Sequence, residues 1–140
     1  MYNWIGNGKI VLPDRICENG SVLLKNGIIA AINEACPNDA ECIDACGGYI
    51  LPGFIDLHVH GGGNSDFMDA TTEDMLNVAK AHSKHGTTAL AATTMTCEDE
   101  VLERVISAFN SAKEKQTDGA ELLGLHLKAL RTRVLFMKFL

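Results

Sequence analysis

The chain has 140 residues, a net charge of −6 and 46% apolar residues, so it can bury a core and is not a disordered polymer. Its acidic balance argues against nucleic acid as a partner, because nucleic-acid binding uses a basic surface. The first residues lack a signal-peptide pattern and no apolar run approaches the ~18 residues that span a bilayer, so we expect a cytoplasmic protein without a membrane partner.

Residues 1–50 predict a small β-domain. Two pairs, Asn19-Gly20 and Asn26-Gly27, separate apolar stretches, and Asn-Gly favours hairpin turns because both residues tolerate positive φ. The predicted strands are residues 9–16, 21–25, 28–32 and 41–46. We expect the first three to form an antiparallel meander.

Beyond residue 50 the pattern alternates between strands and helices. The predicted strands are residues 53–60, 87–93 and 121–127. The predicted helices run from Thr71 or Thr72 to about Lys84 and from Glu98 to about Lys115. Strands that alternate with helices in this way indicate βαβ units and a parallel sheet. Residues 51–127 therefore predict a second domain of the α/β class.

The chain has five cysteines, at positions 17, 36, 42, 46 and 97. An odd number in a chain without a signal peptide argues against a disulfide framework, so we expect reduced thiols. Cys36, Cys42 and Cys46 lie close together, but their spacing does not match a zinc-binding pattern. A structural zinc ion is the weaker alternative there.

A His-Val-His motif ends the first strand of the second domain. Residues two apart on a strand point to the same face, so His58 and His60 can converge on one metal ion. Asp56 shares this face, where it either supports the histidines or, as the alternative, holds the strand end as a buried aspartate. The motif lies at the carboxyl end of a predicted parallel strand, where α/β barrels place their active sites. A bare His-x-His pair is more often a pair of surface histidines, so the surrounding sequence decides between the two interpretations.

Several segments around this motif follow the pattern of a known family. They are LPGFIDLHVHG at 51–61, DFMDAT at 66–71, HSKHGTTAL at 82–90 and TTMT at 93–96. The first segment resembles the first barrel strand of the amidohydrolase superfamily, and the hairpins before it resemble the small β-domain of those enzymes. The later segments resemble the N-acetylglucosamine-6-phosphate deacetylases within that superfamily.

This resemblance implies a fold and an activity. The fold is α/β, with a small N-terminal β-domain followed by the first three strands of a TIM-like (β/α)8 barrel, which these residues leave incomplete. The activity is hydrolysis of N-acetylglucosamine 6-phosphate with one or two divalent metal ions, zinc or iron. His58 and His60 would be metal ligands, whereas the general-base aspartate would lie in a missing later part. The full-length family is expected to form homo-oligomers.

The sequence departs from the family after the third strand. Family members continue Gly-Leu-His-Leu with Glu-Gly-Pro, and the glutamate is a metal ligand, whereas this chain has Lys128-Ala129-Leu130. A lysine has no lone pair at neutral pH and repels a metal ion. Residues 128–140 are therefore a divergent tail, which we interpret as a reading-frame slip, with real local divergence as the alternative.

These departures lead us to expect that the chain as written is inactive. A complete barrel needs about 200 residues or more, and the catalytic aspartate and further metal ligands are not among these residues. Two other functions stay open. One is a different amidohydrolase activity of the dihydroorotase or allantoinase type, and the other is a non-catalytic remnant.

Overall fold

A computed structural model describes residues 2–128 and 135–137, and the chain divides into two compact units, Met1–Pro52 and Gly53–Leu140. Among these described residues, no helix has the length and apolar character needed to cross a membrane. The two units are described separately below.

The first unit is a five-stranded sheet. Its strands are β1 (Tyr2–Val11), β2 (Ile16–Lys25), β3 (Ile28–Ile32), β4 (Ala40–Asp44) and β5 (Tyr49–Ile50). β2 pairs with β1 and with β3 in antiparallel orientation, whereas β4 and β5 both pair with β1 in parallel. The meander predicted from the sequence is therefore confirmed for β1 to β3.

The two Asn-Gly pairs have different roles in this sheet. Asn26-Gly27 forms the hairpin turn between β2 and β3, with φ angles of 52° and 79°, as predicted. The turn predicted at Asn19-Gly20 is wrong, because Asn19 lies inside β2 with a φ of 54° where the register with β1 shifts. The chain instead reverses at residues 12–15, within the segment predicted as one strand. A bulge needs the same positive φ as a turn, which explains the shared sequence signal.

Cysteine pairing in the first unit also differs from the expectation. Cys36 and Cys42 form a disulfide, so the prediction of reduced thiols is wrong for this pair. Cys42 belongs to β4, and Cys36 lies in the connection that precedes this strand. Cys17, Cys46 and Cys97 are free.

The second unit is built on a sheet with three adjacent parallel strands. Its elements are β6 (Phe54–Val59), β7 (Gly61–Gly62), β8 (Ser65–Asp66), a 3-10 turn (Phe67–Asp69), α1 (Thr72–Ser83), β9 (Thr87–Thr93), α2 (Asp99–Lys115), β10 (Glu121–Leu127) and β11 (Leu135–Met137). The strand order is β11-β10-β9-β6, with β11 antiparallel to β10. β7 and β8 form a separate hairpin.

One hydrophobic core joins the two helices to this sheet. Its fully enclosed side chains include Met75 and Val78 from α1, Val105 and Phe109 from α2, Leu90 from β9, Leu122 from β10, and Phe67 from the 3-10 turn. The helical members recur at spacings of three and four residues, which places them on one face of each helix. This packing fixes α1 and α2 against the sheet.

The strands and helices predicted for this unit are confirmed. β6, β9 and β10 are parallel neighbours at the predicted positions, and the α/β class is correct. Thr71, one of two predicted caps, accepts a hydrogen bond from the backbone N–H of Asp74 at 3.1 Å and so begins α1. Of the predicted tail, residues 129–134 and 138–140 lie outside the described residues.

We expect Phe109→Ala to destabilise the second unit strongly. The Phe109 side chain is fully enclosed in the core, and its removal leaves a cavity that costs about 3–5 kcal/mol. Urea unfolding followed by circular dichroism measures the loss. Glu103→Ala, on the exposed side of the same helix, is the matched control and should change stability by about 0.5 kcal/mol or less. Equal effects of the two substitutions would contradict this packing.

Candidate functional site

The predicted histidine pair lies at the carboxyl end of β6. The imidazole centroids of His58 and His60 are 5.2 Å apart, and the ring planes are inclined by 70°. His58 is exposed and His60 is half-buried. The strand therefore presents two neighbouring imidazoles at the end of the sheet where barrel enzymes carry their sites.

A third imidazole, from His126 on β10, joins this pair. Its ring centroid lies 4.9 Å from that of His58, and its Nδ1 atom lies 3.2 Å from the backbone oxygen of Leu57. The ring thus reaches β6 although β9 separates the two strands in the sheet. Sequence reasoning gave His126 no role. The sequence feature that could have identified it is a histidine near the carboxyl end of another predicted parallel strand, residues 121–127.

Asp56 contacts the backbone of the motif. Its Oδ1 atom accepts a hydrogen bond of 3.0 Å from the backbone N–H of His58. This contact matches the strand-end role considered as the alternative, because it restrains the chain at the motif. Support of the imidazoles by Asp56 stays a prediction.

Two buried threonines connect the ends of the three parallel strands. The hydroxyl of Thr93 accepts a 3.1 Å hydrogen bond from the backbone N–H of Val59, at the end of β6. The backbone N–H of Thr94 donates to the carbonyl of His126, and its hydroxyl accepts from the backbone N–H of Lys128, both at 3.0 Å. Both threonines are fully buried. They therefore fix the backbone that carries the histidines.

The glycine hairpin after the motif packs against α1. The Nε2 atom of His82 lies 3.1 Å from the carbonyl oxygen of Gly61. A Cβ atom at Gly62 would lie only 2.9 Å from the same Nε2 atom, and one at Gly61 would lie 2.5 Å from the Ser65 carbonyl oxygen. Gly61 is required because its close neighbour is backbone, whereas a side chain at Gly62 would displace the end of the His82 ring.

The ammonium group of Lys128 lies close to the His58–His60 motif. Its Nζ atom lies 3.4 Å from Nε2 of His60. The other ring nitrogen, Nδ1 of His60, is the one buried side-chain nitrogen or oxygen of residues 2–128 that has no hydrogen-bond partner. Position 128, where the resemblance implies a metal-binding glutamate, is therefore adjacent to the histidine pair.

The surroundings lower the pKa of His58. Partial loss of solvent around the ring is the largest cause, and the charge of Lys128 and the nearby rings of His126 and His60 add to it. The negative charge of Asp56 acts in the opposite direction. The lowered pKa of His58 favours the neutral form, which is the form that binds a metal ion.

The site fits a divalent metal ion only in part. His58 and His60 supply two neighbouring imidazoles. The Nδ1 atom of His60 is buried and has no hydrogen-bond partner. Lys128 does not fit, because its ammonium group carries like charge beside the same ring. Across the described part of the chain, no three His, Cys, Asp or Glu side chains form a group that could hold a metal ion.

Comparisons with known proteins give the same family as the motif. A profile described as the amidohydrolase family matches residues 49–130. N-acetylglucosamine-6-phosphate deacetylase of Bacillus subtilis is 33% identical over 125 residues, which cover 85% of this chain and 32% of that protein. Dihydroorotase of Halalkalibacterium halodurans is 36% identical over 97 residues, which cover 66% of this chain and 21% of that protein.

A solved structure shares the fold. The crystal structure of N-acetylglucosamine-6-phosphate deacetylase from Pasteurella multocida matches with a TM-score of 0.78 at 23% identity, over 91% of this chain and 34% of that chain. The chain spans about a third of the length of the Bacillus deacetylase and of the Pasteurella structure. The likeness therefore covers only part of these proteins.

We expect Thr93→Val to loosen the end of β6. The substitution keeps the shape of the side chain but leaves the buried N–H of Val59 without an acceptor, which costs about 1–3 kcal/mol. Amide hydrogen exchange at Val59, measured by NMR, should become faster. Thr93→Ser retains the hydroxyl and is the matched control. Equal exchange rates in the two variants would show that the Thr93 hydroxyl does not hold the end of β6.

We expect the His58 ring to titrate below its ordinary pKa of 6.5, because solvent loss and the charge of Lys128 disfavour the protonated form. Lys128→Met should raise the pKa of His58, whereas Lys115→Met, on the exposed surface of α2, should not. NMR titration of the ring protons measures both. The unfolded chain takes up this proton at a higher pH than the folded chain does. The free energy of unfolding therefore has its full value above pH 6.5 and decreases as the pH falls toward the pKa of His58 in the folded chain. A midpoint at or above 6.5 would contradict the assignment.

Proposed function

This chain belongs to the amidohydrolase family, and we propose that it supplies the first metal-binding strand of an N-acetylglucosamine-6-phosphate deacetylase. The proposed reaction is hydrolysis of the acetamide to glucosamine 6-phosphate and acetate. The observation that carries the proposal is the proximity of the His58 and His60 rings, 5.2 Å apart at the carboxyl end of β6. The similarity to the Bacillus deacetylase over most of the chain supports this choice of substrate.

His58 and His60 would hold a divalent metal ion, for which zinc or iron is the expected identity. When bound, such an ion polarises the amide carbonyl and lowers the pKa of a water molecule. The chain's own contribution is to lower the pKa of His58 and to hold both imidazoles in position. Thr93 performs the second task by accepting the backbone N–H of Val59 at the end of β6.

We assign no general base to this chain. Asp56, the carboxylate on the face of the motif, already accepts the backbone N–H of His58. From the resemblance we expect the general-base aspartate and the remaining ligands in a later part of the family's sequences. The cytoplasmic location and the homo-oligomeric full-length protein stay predictions of the same resemblance.

A dihydroorotase-type activity is the second candidate. It is favoured by the similarity of this chain to the Halalkalibacterium dihydroorotase over 97 residues. Both reactions hydrolyse a carbon–nitrogen amide bond, and the His-x-His strand serves both. The two candidates differ in substrate, since one substrate carries a phosphate and an acetamide whereas the other is a cyclic amide.

A chimera of residues 1–127 with the remaining C-terminal part of the Bacillus deacetylase tests the proposal. We expect it to release acetate from N-acetylglucosamine 6-phosphate, whereas the 140-residue chain alone releases none. His58→Ala or His60→Ala should reduce the rate by at least about 100-fold, because even changes behind a ligand reduce function by about 10–100-fold. His85→Ala, an exposed histidine after α1, is the matched control and should leave the rate unchanged.

The chimera also separates the alternatives. Hydrolysis of dihydroorotate without release of acetate would favour the second candidate. A folded chimera that hydrolyses neither substrate would support a non-catalytic remnant. Activity that survives both histidine substitutions would show that the pair is not the metal site.

A further inference from the structure

We infer that the Lys128 ammonium group takes the place beside His60 that a divalent metal ion would occupy, and that it thereby suppresses metal binding by this chain. The inference rests on the proposed metal-binding role of His58 and His60. It adds an opposing residue to that site, and it concerns binding of the metal alone, independent of any substrate.

The position of Lys128 is set by the backbone. Its N–H donates a 3.0 Å hydrogen bond to the buried hydroxyl of Thr94, directly after the end of β10. This anchor places the start of the lysine side chain at the carboxyl edge of the parallel sheet. Although the side chain is exposed, its Nζ atom lies within 3.4 Å of Nε2 of His60. The ammonium group is therefore held within reach of the motif.

One nitrogen of His60 cannot serve both cations. An ammonium group carries only donors, so the contact with Lys128 uses the Nε2 lone pair of His60. A metal ion at Nε2 would use the same lone pair, and in either case the ring proton is on Nδ1. Nδ1 is buried and has no hydrogen-bond partner, so it offers the lysine no second contact. Lysine and metal binding at Nε2 are therefore mutually exclusive.

The charge of Lys128 adds to this competition. Like charges a few ångströms apart repel each other, and the effect is strongest where water is excluded. The ion pairs found in the described part of the chain are Lys9–Glu18, Arg15–Asp14 and Lys80–Asp118, and none of them neutralises Lys128. The nearest acidic group on the motif, Asp56, is directed to the backbone N–H of His58.

Metal affinity of the 140-residue chain tests the inference directly. Zn²⁺ binding is measured by competition with a chromogenic chelator, and Co²⁺ binding by its visible absorption bands. Lys128→Met removes the charge and should bind Zn²⁺ about tenfold more tightly than the native chain. Lys128→Glu supplies a carboxylate ligand and should bind about 100-fold more tightly, both within the range by which neighbouring groups alter metal affinity. Lys115→Met is the control for loss of a lysine elsewhere and should bind like the native chain.

A double variant identifies the nitrogen involved. In Lys128→Met with His60→Ala, the gain in Zn²⁺ affinity should disappear. Circular dichroism verifies folding of each variant, and Lys128→Met decides the question if the charge reversal unfolds the chain. If the native chain already binds Zn²⁺ through His60 as tightly as Lys128→Met does, the inference is wrong but the histidine assignment stands. If neither variant at position 128 binds Zn²⁺ through His60, both the inference and the proposed metal role fail.

Discussion

The second unit depends on the hydrogen bonds that Thr93 and Thr94 make where the parallel strands end. A buried backbone N–H that loses its partner costs about 1–3 kcal/mol, so each threonine hydroxyl strongly favours one position of the neighbouring strand. Thr93 fixes the end of β6 and Thr94 fixes the residue after β10. Thr93 is the last residue of β9 and Thr94 the first residue after it, and β9 lies between those strands. One short segment thus determines how the chemical groups of three strands meet.

The close approach of the imidazoles follows from these hydrogen bonds. His58 and His60 share a face because they are two residues apart on β6, but His126 reaches them only because β10 is held at a fixed register beside β9. The core supports this arrangement from the other side, with α1 and α2 packed on the sheet. The site is therefore built on rigid elements, which is the requirement for any group that must hold a ligand at short range.

The scaffold and residue 128 favour different ligands. The fold and the family profile agree with an amidohydrolase, and the histidine pair is the metal site that we propose. Lys128 brings a positive charge to the same imidazoles, and partial loss of solvent together with this charge lowers the pKa of His58. A neutral imidazole is ready to bind a cation, and the nearest cation in the described structure is the chain's own lysine. Lys128 thus alters the electrostatics of the site, while its backbone N–H is bonded to Thr94 after the end of β10.

Local sequence patterns determined much of this protein. The two-residue period of a strand placed His58 and His60 on one face, the alternation of strands and helices gave the parallel sheet, and Asn26-Gly27 gave a hairpin. These features depend on residues close together in the chain, so periodicity and turn chemistry are sufficient to predict them.

Tertiary structure alone decided the rest. The pairing partner of each strand distinguished the bulge at Asn19 from a turn, because both require the same positive φ. The contact between Lys128 and His60 joins residues 68 positions apart, and that between His126 and Leu57 joins residues 69 positions apart. No local pattern encodes such contacts, since they arise from the register of β6 and β10 on either side of β9. That register is set by the packed core and by buried hydroxyl groups, which form only when the whole unit folds.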